Sequence, residues 1–391
     1  MKFVLAGYGS RGDVEPCAAV GRELSGRGHD VLMAVPPDQR AFVEAAGLAT
    51  VAYGRDTREQ IDAATAFVNS GESAFAVFPQ LVERVSGVWA EKSATLDSLV
   101  DGADLLVAGM NEQRLAANVA EQHGIPLAAL HFFPAKALEL GALQEQITNA
   151  AAGAQRAALG LPEETSTQHP LEIQAYEEFC VPGLADEWAK SDLRRPFVGS
   201  LTLAMPTGVD DEVLSWIAEG TPPIYFGFGS TPVTSPAETV AVISAACTRV
   251  RERALICSGP NDFTELPQSD DIKIVDAVNH AAIFPACRAV VQHGGAGTTA
   301  AGLRAGVPIL VLWIWLDQPI WAAAVDQVGA GFSRAFSEST LDSLVADLRS
   351  VLAEDYLTRA QEAATRMTKP AESLSRAADL LEEAARAGRS G

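Results

Sequence analysis

Short, wholly apolar runs recur along this chain, and stretches long enough for a helix separate them. Examples are residues 3–6 and 31–35 near the start, and residues 224–228 and 309–312 further on. A strand with one solvated face alternates apolar and polar side chains. Uninterrupted apolar strands joined by helices therefore indicate parallel sheets that are covered on both faces. The predicted fold class is α/β.

The strand and helix pattern occurs twice. A chain of 391 residues is long enough for two or three domains at roughly 100–200 residues each. Residues 205–211 are rich in Pro, Thr, Gly and Asp, which is the composition of a linker. We therefore predict a first doubly wound domain at 1–204, a linker at 205–215, a second at 216–370, and an amphipathic helix at 371–391.

The net charge of the chain restricts the classes of molecule that it can bind. The chain has 29 Lys and Arg against 50 Asp and Glu, a formal charge of -21. This balance argues against nucleic acid, which requires a basic surface, and against a polybasic membrane-surface protein. The five cysteines form no C-x-x-C pair, and neither a signal peptide nor an apolar run of about 18 residues is present. These features predict a soluble cytoplasmic protein.

A first glycine-rich turn, Gly7-Tyr8-Gly9-Ser10-Arg11-Gly12, follows the first predicted strand. It matches the dinucleotide pattern G-x-G-x-x-G, so an NAD(P)-dependent oxidoreductase is one hypothesis. Two observations weigh against it. The second strand ends in Val35-Pro36-Pro37 without an acidic residue for a ribose, and Asp13 would repel a pyrophosphate at the helix N-terminus. Asp13 is then either a helix cap or a base, with the cap favoured about two to one from position alone.

A second glycine-rich turn, Gln292-His293-Gly294-Gly295-Ala296-Gly297-Thr298-Thr299, follows residues 289–291. Exposed N–H groups at a helix start form an anion site, and the absence of a Lys after the last Gly argues against a P-loop. His293 is a candidate phosphate ligand or a satisfied strand-end histidine. Ser230 and Asp317 follow other predicted strands, where each is a candidate ligand or a helix cap.

The six histidines are scattered, and no metal-binding spacing or G-x-S-x-G elbow is present. Catalysis would then depend on an acid–base residue and on electrostatics.

Four motifs in order resemble those of family 1 glycosyltransferases. They are Gly9-Ser10-Arg11-Gly12-Asp13-Val14-Glu15-Pro16, Val278-Asn279-His280, the turn from His293 to Thr299, and Asp317-Gln318-Pro319. The resemblance spans nearly the whole chain and is strongest to actinobacterial enzymes, namely the mycobacterial glycopeptidolipid glycosyltransferases and the vancomycin-group glycosyltransferases. It implies a GT-B fold, in which two Rossmann-like domains face each other across an interdomain cleft. The first would bind the acceptor, the second the nucleotide sugar, and the helix at 371–391 would cross back to the first.

The resemblance also implies a role for each matched residue. Asp13 would be the catalytic base. The donor diphosphate would contact Ser10, Arg11, Ser230, His293, Gly294, Gly295, Ala296, Gly297 and Thr298. The main chain of Val278 would bind the nucleobase, and Asp317 and Gln318 would hold sugar hydroxyls. His131 and Phe132 would contact the acceptor.

The function implied is an inverting, metal-independent transfer without a cofactor. A hexose or deoxyhexose, such as rhamnose or 6-deoxytalose, would move from a dTDP- or UDP-sugar to a hydroxyl of a lipopeptide, glycolipid or natural product. A lipid acceptor would allow transient association with the inner membrane face. The segment 134–159 is shorter and less aromatic than in many relatives, and Gln292 replaces the first residue of the usual His-His pair. Alternatives are a sterol-type glucosyltransferase using UDP-glucose, the oxidoreductase, and a non-catalytic nucleotide-sugar binder.

Overall fold

Two units make up the fold, each built on a six-stranded sheet. The computed structural model describes residues 1–57, 78–134, 142–163, 171–190, 194–231, 233, 235–261, 263, 269–315 and 317–388. The first unit comprises Met1–Ala175, Ala185–Leu203 and Lys369–Gly391, and the second comprises Tyr176–Leu184 and Ala204–Thr368.

The first sheet is parallel throughout and has the strand order β3-β2-β1-β4-β5-β6. Its strands are β1 (Lys2–Ala6), β2 (Asp30–Val35), β3 (Ala49–Ala52), β4 (Leu105–Ala108), β5 (Leu127–His131) and β6 (Leu171–Gln174). This is the order of the dinucleotide-binding α/β fold, in which the winding direction reverses between β1 and β4.

The second sheet repeats that order as β12-β11-β10-β7-β8-β9, again with parallel pairs. Its strands are β7 (Ile224–Gly227), β8 (Ala254–Cys257), β9 (Ile272–Val275), β10 (Ala289–Gln292), β11 (Ile309–Trp313) and β12 (Gly331–Ala335). Here the direction reverses between β7 and β10.

Helices connect the strands and cover the sheets. In chain order they are α1 (Arg11–Gly26), α2 (Arg40–Ala45), α3 (Phe78–Leu99), α4 (Gln113–His123), α5 (Ala142–Ala158), α6 (Leu184–Trp188), α7 (Asp210–Ala218), α8 (Pro236–Val250), α9 (His280–Ile283), α10 (Ala296–Ala305), α11 (Gln318–Val328), α12 (Leu341–Val351), α13 (Glu354–Arg366) and α14 (Pro370–Gly388). Short 3-10 turns lie at Pro37–Gln39, Glu178–Cys180, Phe284–Ala286 and Phe336–Glu338.

Both faces of the second sheet are buried, as the apolar runs predict. Along β7, Phe226 packs into one core cluster with Val291, whereas its neighbour Tyr225 packs into the opposite cluster with Val290. Alternate residues of a strand point to opposite faces, so a strand that is buried on both sides needs apolar residues at every position.

The structure differs from the predicted elements in three places. Residues 210–215, assigned to the linker, begin helix α7, because Val213 and Ile217 bury their side chains in the core of the second unit. The edge strands β3 and β12 are not evident in the sequence, because each leaves side chains partly exposed and mixes polar residues with apolar ones. The run at residues 197–199 predicts a further strand, but Phe197 forms only an isolated bridge with Gln174.

Helix α14 packs in the first unit, although it lies at the end of the chain. Its carboxylate Glu382 accepts from His29 Nε2 at 3.1 Å and from Arg27 at 3.2 Å. These partners, His29 first, lower the pKa of Glu382 to about 2. A carboxyl group with a lowered pKa stabilises the fold above its ordinary pKa, and this contribution is lost as the pH falls from about 4.5 towards 2.

We therefore expect Glu382→Gln to lower the free energy of unfolding by about 2 kcal/mol at pH 7, and by less at pH 3. Urea unfolding at both pH values measures the difference. The control is Glu383→Gln at the adjacent position, where the ion pair with Arg194 is exposed on both sides. An exposed ion pair contributes little to the free energy of unfolding, so the loss of this pair should leave the stability nearly unchanged. Equal effects of the two substitutions would contradict the prediction.

Candidate active site

Each glycine-rich turn begins at the carboxyl end of a central strand, where its sheet reverses direction. The first turn joins β1 to α1, and the loop 109–112 leaves the neighbouring strand β4. The second turn joins β10 to α10, and the loop 228–231 leaves the neighbouring strand β7. Ligands of open α/β sheets bind at this position.

Asp13 lies in the first turn of α1 and caps it. Its Oδ2 atom accepts from the Ser10 backbone N–H at 2.7 Å and from the Ser10 hydroxyl at 2.9 Å. Its Oδ1 atom accepts from Nδ2 of Asn111 at 3.3 Å. A carboxylate oxygen has two lone pairs, so Oδ1 has capacity for a further donor. The cap interpretation is therefore observed, and it leaves one oxygen able to act as a base.

Burial raises the pKa of Asp13 above its ordinary value, and the hydrogen bonds from Ser10 and Asn111 only partly oppose this effect. Desolvation disfavours the charged form, so the proton affinity of the carboxylate increases. A base of higher pKa removes a hydroxyl proton more effectively.

Gly9 makes room for this carboxylate. Its φ of +131° is rare for any other residue, and a Cβ at this position would overlap the Asp13 carboxyl group. This position therefore requires glycine, both for its backbone conformation and for its lack of a side chain.

Asn111 is a residue that the sequence analysis missed. Its Nδ2 also donates to the carbonyl oxygen of Tyr8 at 2.9 Å, so one amide group joins the glycine-rich turn to Asp13. The next residue, Glu112, is fully buried and accepts from Lys92 Nζ at 2.5 Å and from the Tyr53 hydroxyl. This buried ion pair anchors the loop that carries Asn111. The signal in the sequence that could have identified Asn111 is its position three residues after the apolar strand β4.

Ser10 and Arg11, expected at the diphosphate, have partners in the structure. The Ser10 hydroxyl donates to Asp13, and the exposed Arg11 guanidinium donates to Glu15 Oε2 at 3.0 Å while lying over the ring of Phe42. Each would have to exchange a contact to bind a ligand.

His293 is held tightly in the second turn. A Cβ on Gly229, whose φ is +58°, would overlap the imidazole ring, so the loops after β7 and β10 are in direct contact. Burial lowers the pKa of His293 to about 4, and the imidazole is neutral at physiological pH. Within the described chain its buried Nδ1 atom has no hydrogen-bond partner. The main chain of Gly227 interacts with the same ring and only partly opposes the lowering of its pKa.

The turn offers further donors beside His293. Gly295, Ala296, Gly297 and Thr298 form the start of α10, where backbone N–H groups have no partner within the helix. Ser230 lies exposed in the adjacent loop, next to Gly229. The structure therefore brings together the residues of the second unit that the resemblance assigns to the diphosphate.

The side chain of Gln292 holds this turn in place through two hydrogen bonds. Its side-chain oxygen accepts from the Gly294 N–H at 2.6 Å, and its Nε2 donates to the Thr299 hydroxyl at 3.0 Å. The Gly294 N–H, expected at the diphosphate, is thus already bonded.

The predicted sugar ligands differ from each other. Asp317 is partly exposed at the start of α11. Gln318 is only 5% exposed, and its Oε1 accepts from the N–H groups of Ile314 at 2.8 Å and Trp315 at 3.2 Å. In this structure Gln318 supports a loop and does not present its carboxamide oxygen to a sugar.

The residues predicted to contact the nucleobase and the acceptor are all buried. Val278 packs its side chain in a core cluster directly after β9, which leaves only its main chain for a nucleobase. His131 and Phe132, expected at the acceptor, are 5% and 6% exposed at the end of β5 and present little surface. Most of the segment 134–159 forms α5, but residues 135–141 lie outside the described residues.

Among the described residues, no three His, Cys, Asp or Glu side chains are grouped as metal ligands. No helix within these residues is both long and apolar enough to span a bilayer.

Two family models match this chain. Residues 3–142 match the glycosyltransferase family 28 N-terminal domain, and residues 254–380 match the C-terminal domain of erythromycin biosynthesis protein CIII-like proteins. A glycosyltransferase of Mycobacterium tuberculosis, itself uncharacterized, is 54% identical over the whole of both chains. The chain belongs to the actinobacterial family 1 glycosyltransferases.

Other relatives agree with this assignment. An uncharacterized glycosyltransferase of Mycobacterium leprae is 52% identical over 100% of this chain and 98% of the relative. The vancomycin aglycone glucosyltransferase of Amycolatopsis orientalis is 29% identical over 93% of each chain. Family membership favours the glycosyltransferase interpretation of the first turn over the oxidoreductase one.

Solved structures confirm the GT-B fold. The spinosyn rhamnosyltransferase SpnG, complexed with thymidine diphosphate, has a TM-score of 0.70 at 18% identity and covers 97% of this glycosyltransferase and 100% of its own chain. The glycosyltransferase VinC, in complex with dTDP, has a TM-score of 0.68 at 18% identity and full coverage of both chains.

The packing of Gly9 against Asp13 generates a stability prediction. We expect Gly9→Ala to destabilise the protein by about 1–3 kcal/mol, because the new Cβ meets the carboxylate and the backbone conformation is strained. The control is Gly12→Ala in the first turn of α1, where a Cβ has its nearest contact at 3.8 Å. A helical Gly-to-Ala change should stabilise by about 0.5–1 kcal/mol. Denaturant unfolding distinguishes them, and equal stabilities would refute the packing argument.

Proposed function

We propose that this glycosyltransferase moves a hexose or deoxyhexose from a dTDP- or UDP-sugar to a hydroxyl group of a lipophilic acceptor, with inversion at the anomeric carbon. The observation that carries the proposal is the second turn, where the imidazole of His293 lies against the loop after β7 and beside the N-terminus of α10. That arrangement suits a phosphate oxygen.

The donor would bind in the second unit. Cleavage of the glycosyl–phosphate bond develops negative charge on the leaving diphosphate. The N–H groups from Gly295 to Thr298, the Ser230 hydroxyl and His293 would stabilise that charge. We expect no metal requirement, because these donors can take the role of a cation. Val278 would contact the nucleobase through its main chain, and Asp317 would bind the sugar.

The acceptor would be activated in the first unit. Oδ1 of Asp13 would take the hydroxyl proton as the hydroxyl oxygen attacks the anomeric carbon, and Asn111 would hold the carboxylate in orientation. A carboxylate is a weak base for an alcohol, so proton transfer must accompany bond formation. Attack opposite the leaving diphosphate inverts the anomeric configuration.

Thymidine diphosphate is the ligand in two similar solved structures, and one of these proteins is a rhamnosyltransferase. This supports a dTDP-deoxysugar before a UDP-sugar. The glycopeptidolipid resemblance supports a lipopeptide or glycolipid acceptor, which would bring the enzyme transiently to the inner membrane face. A panel of dTDP-rhamnose, dTDP-6-deoxytalose and UDP-glucose, tested against actinobacterial lipids by mass shift, would identify the pair. A mass shift with UDP-glucose and a sterol alone would favour the sterol-type alternative.

We expect Asp13→Asn to reduce transfer at least 1,000-fold while the Kd for dTDP stays within about threefold, since the amide oxygen can keep the cap but cannot act as a base. Transfer is followed by mass spectrometry and binding by calorimetry.

The pH profile provides the control. Because the pKa of Asp13 is raised, the kcat/KM of the wild type should decrease as the pH is lowered, and the decrease should begin above the ordinary pKa range of aspartate. The cause is protonation of the carboxylate, which can then no longer accept the hydroxyl proton. Full transfer activity of the Asn variant would refute the role of Asp13 as base. Binding of dTDP by the wild type without transfer to any acceptor would instead favour a non-catalytic binder.

We expect His293→Ala to weaken dTDP binding about tenfold, through the loss of one hydrogen bond to phosphate. Since the imidazole of the free protein is neutral down to about pH 4, the ratio of variant to wild-type Kd should be similar at pH 6 and pH 8. Calorimetry at both values measures it. A ratio that grows markedly at pH 6 would mean that the charged imidazolium is the binding form.

A further inference from the structure

The ammonium group of Lys92, on helix α3, is buried inside the first unit. Lys92 is 4% exposed, and its Nζ atom donates to Oε1 of the fully buried Glu112 at 2.5 Å. The same Nζ atom lies 3.9 Å from the centre of the Tyr8 ring and 5.1 Å from the centre of the Tyr53 ring. A carboxylate and two aromatic rings thus take the place of the water that surrounds an exposed lysine.

These four residues, which we call the Lys92 cluster, are fixed by further contacts. The Tyr53 hydroxyl donates to Oε2 of Glu112, so both carboxylate oxygens have a partner. Gly54 packs against the cluster from the loop after β3. A Cβ at this position would lie 2.8 Å from the Tyr8 ring and 3.1 Å from the carbon chain of Lys92. The cluster therefore has little room to move.

The Lys92 cluster contains both residues on which the orientation of Asn111 depends. Glu112 is the next residue in the chain, so its ion pair fixes the main chain beside Asn111. Tyr8 provides the carbonyl oxygen that accepts from Asn111 Nδ2 at 2.9 Å. The same Nδ2 atom donates to Asp13 Oδ1 at 3.3 Å. Asn111 is otherwise exposed, so these contacts direct its amide towards Asp13.

The energetics of burial favour a positional role for this ion pair. Removing two charges from water is costly, and apolar residues of similar size often stabilise a fold equally well. Stability alone therefore does not account for Lys92. The pair carries no net charge, whereas a lysine without the Glu112 carboxylate would favour the ionised form of Asp13 and weaken it as a base.

We propose that Lys92 is a positioning residue for the Asp13 carboxylate and that it acts through Asn111. Its ammonium group holds Tyr8 and Glu112 in place, and these two residues hold the Asn111 amide against Oδ1. The inference rests on the proposed function, because it takes Asp13 to be the base. A base that is held in the geometry of attack has less entropy to lose when the acceptor hydroxyl arrives.

The protonation midpoint of Asp13 in the free protein reports on the Asn111 contact. Hydrogen bonds from Ser10 and Asn111 lower the pKa of Asp13 against the effect of burial, so the loss of the Asn111 bond should raise the midpoint. The thiol of Cys17, one turn along α1, also interacts with this carboxylate, but burial raises its pKa to about 12 and it stays neutral. Carbon-13 NMR of labelled aspartate carboxyl groups measures the midpoint, and Asp13→Asn identifies the signal.

The variant Lys92→Met/Glu112→Gln removes the ion pair without leaving a buried charge, so the fold should be retained. We expect it to raise the Asp13 midpoint by about half a pH unit, as Asn111→Ala should. It should also reduce kcat about tenfold while the Kd for dTDP stays within about threefold. Adding Asn111→Ala to this variant should raise the midpoint no further. Tyr53→Phe removes only the hydroxyl bond to Glu112 and should raise the midpoint by a smaller amount.

Arg156→Met/Glu121→Gln is the matched control. This ion pair also lies in the first unit, where the Arg156 side chain is 2% exposed and donates to Glu121 Oε2 at 2.8 Å. Its removal should lower the melting temperature and leave the Asp13 midpoint and kcat unchanged. The control separates an effect on Asp13 from general destabilisation.

Two results would overturn the inference. One is an unchanged midpoint in both Lys92→Met/Glu112→Gln and Tyr53→Phe. The other is a shift that adds to the shift of Asn111→Ala, since the cluster would then act by another route. If the midpoints shift as expected but Asp13→Asn retains full transfer activity, the proposed base is refuted, whereas the positioning of Asp13 by Lys92 stands.

Discussion

Both sheets of this glycosyltransferase reverse their winding direction between two central strands, and the candidate functional side chains depend on that reversal. In the first unit the connections after β1 and β4 leave in opposite directions, which opens the edge where Asp13 meets Asn111. In the second unit the loops after β7 and β10 bring Gly229 against His293. The same strand order thus places the Asp13 carboxylate at this edge of one unit and the second glycine-rich turn at the corresponding edge of the other.

A chain with a charge of -21 would have to bind the proposed diphosphate through local interactions, since the Debye length is about 8 Å at physiological ionic strength. Neutral groups dominate the second turn: backbone N–H groups, an uncharged His293 and the buried carboxamide of Gln292. The cation assigned to the diphosphate, Arg11, is exposed and paired with Glu15. Preorganised dipoles lose little free energy to reorganisation when the anion binds, which makes their geometry more important than net charge.

The sequence predicted the central strands well, because burial on both faces requires uninterrupted apolar runs. It missed β3 and β12 because edge strands lack that requirement. It identified the two turns because glycines are needed where backbone and side chains approach closely. It could not predict the direction of a side chain. Gln318 has the right chemistry for a sugar ligand, yet tertiary packing directs its oxygen to Ile314 and Trp315. Asn111 was missed for the same reason, since its partners are distant in the chain.

The observed cap and the proposed base place opposite demands on the pKa of Asp13. A carboxylate in the first turn of a helix is stabilised by the helix dipole, by about 0.3–1 kcal/mol, and by its cap hydrogen bonds, and both effects make it a weaker base. Its pKa is nevertheless raised, so desolvation outweighs them. The cap bonds from Ser10 engage Oδ2, whereas Oδ1 receives the longer bond from Asn111. Capping therefore fixes the position of the carboxylate through one oxygen, and burial raises its proton affinity while the other oxygen keeps a lone pair, as the proposed role of base requires.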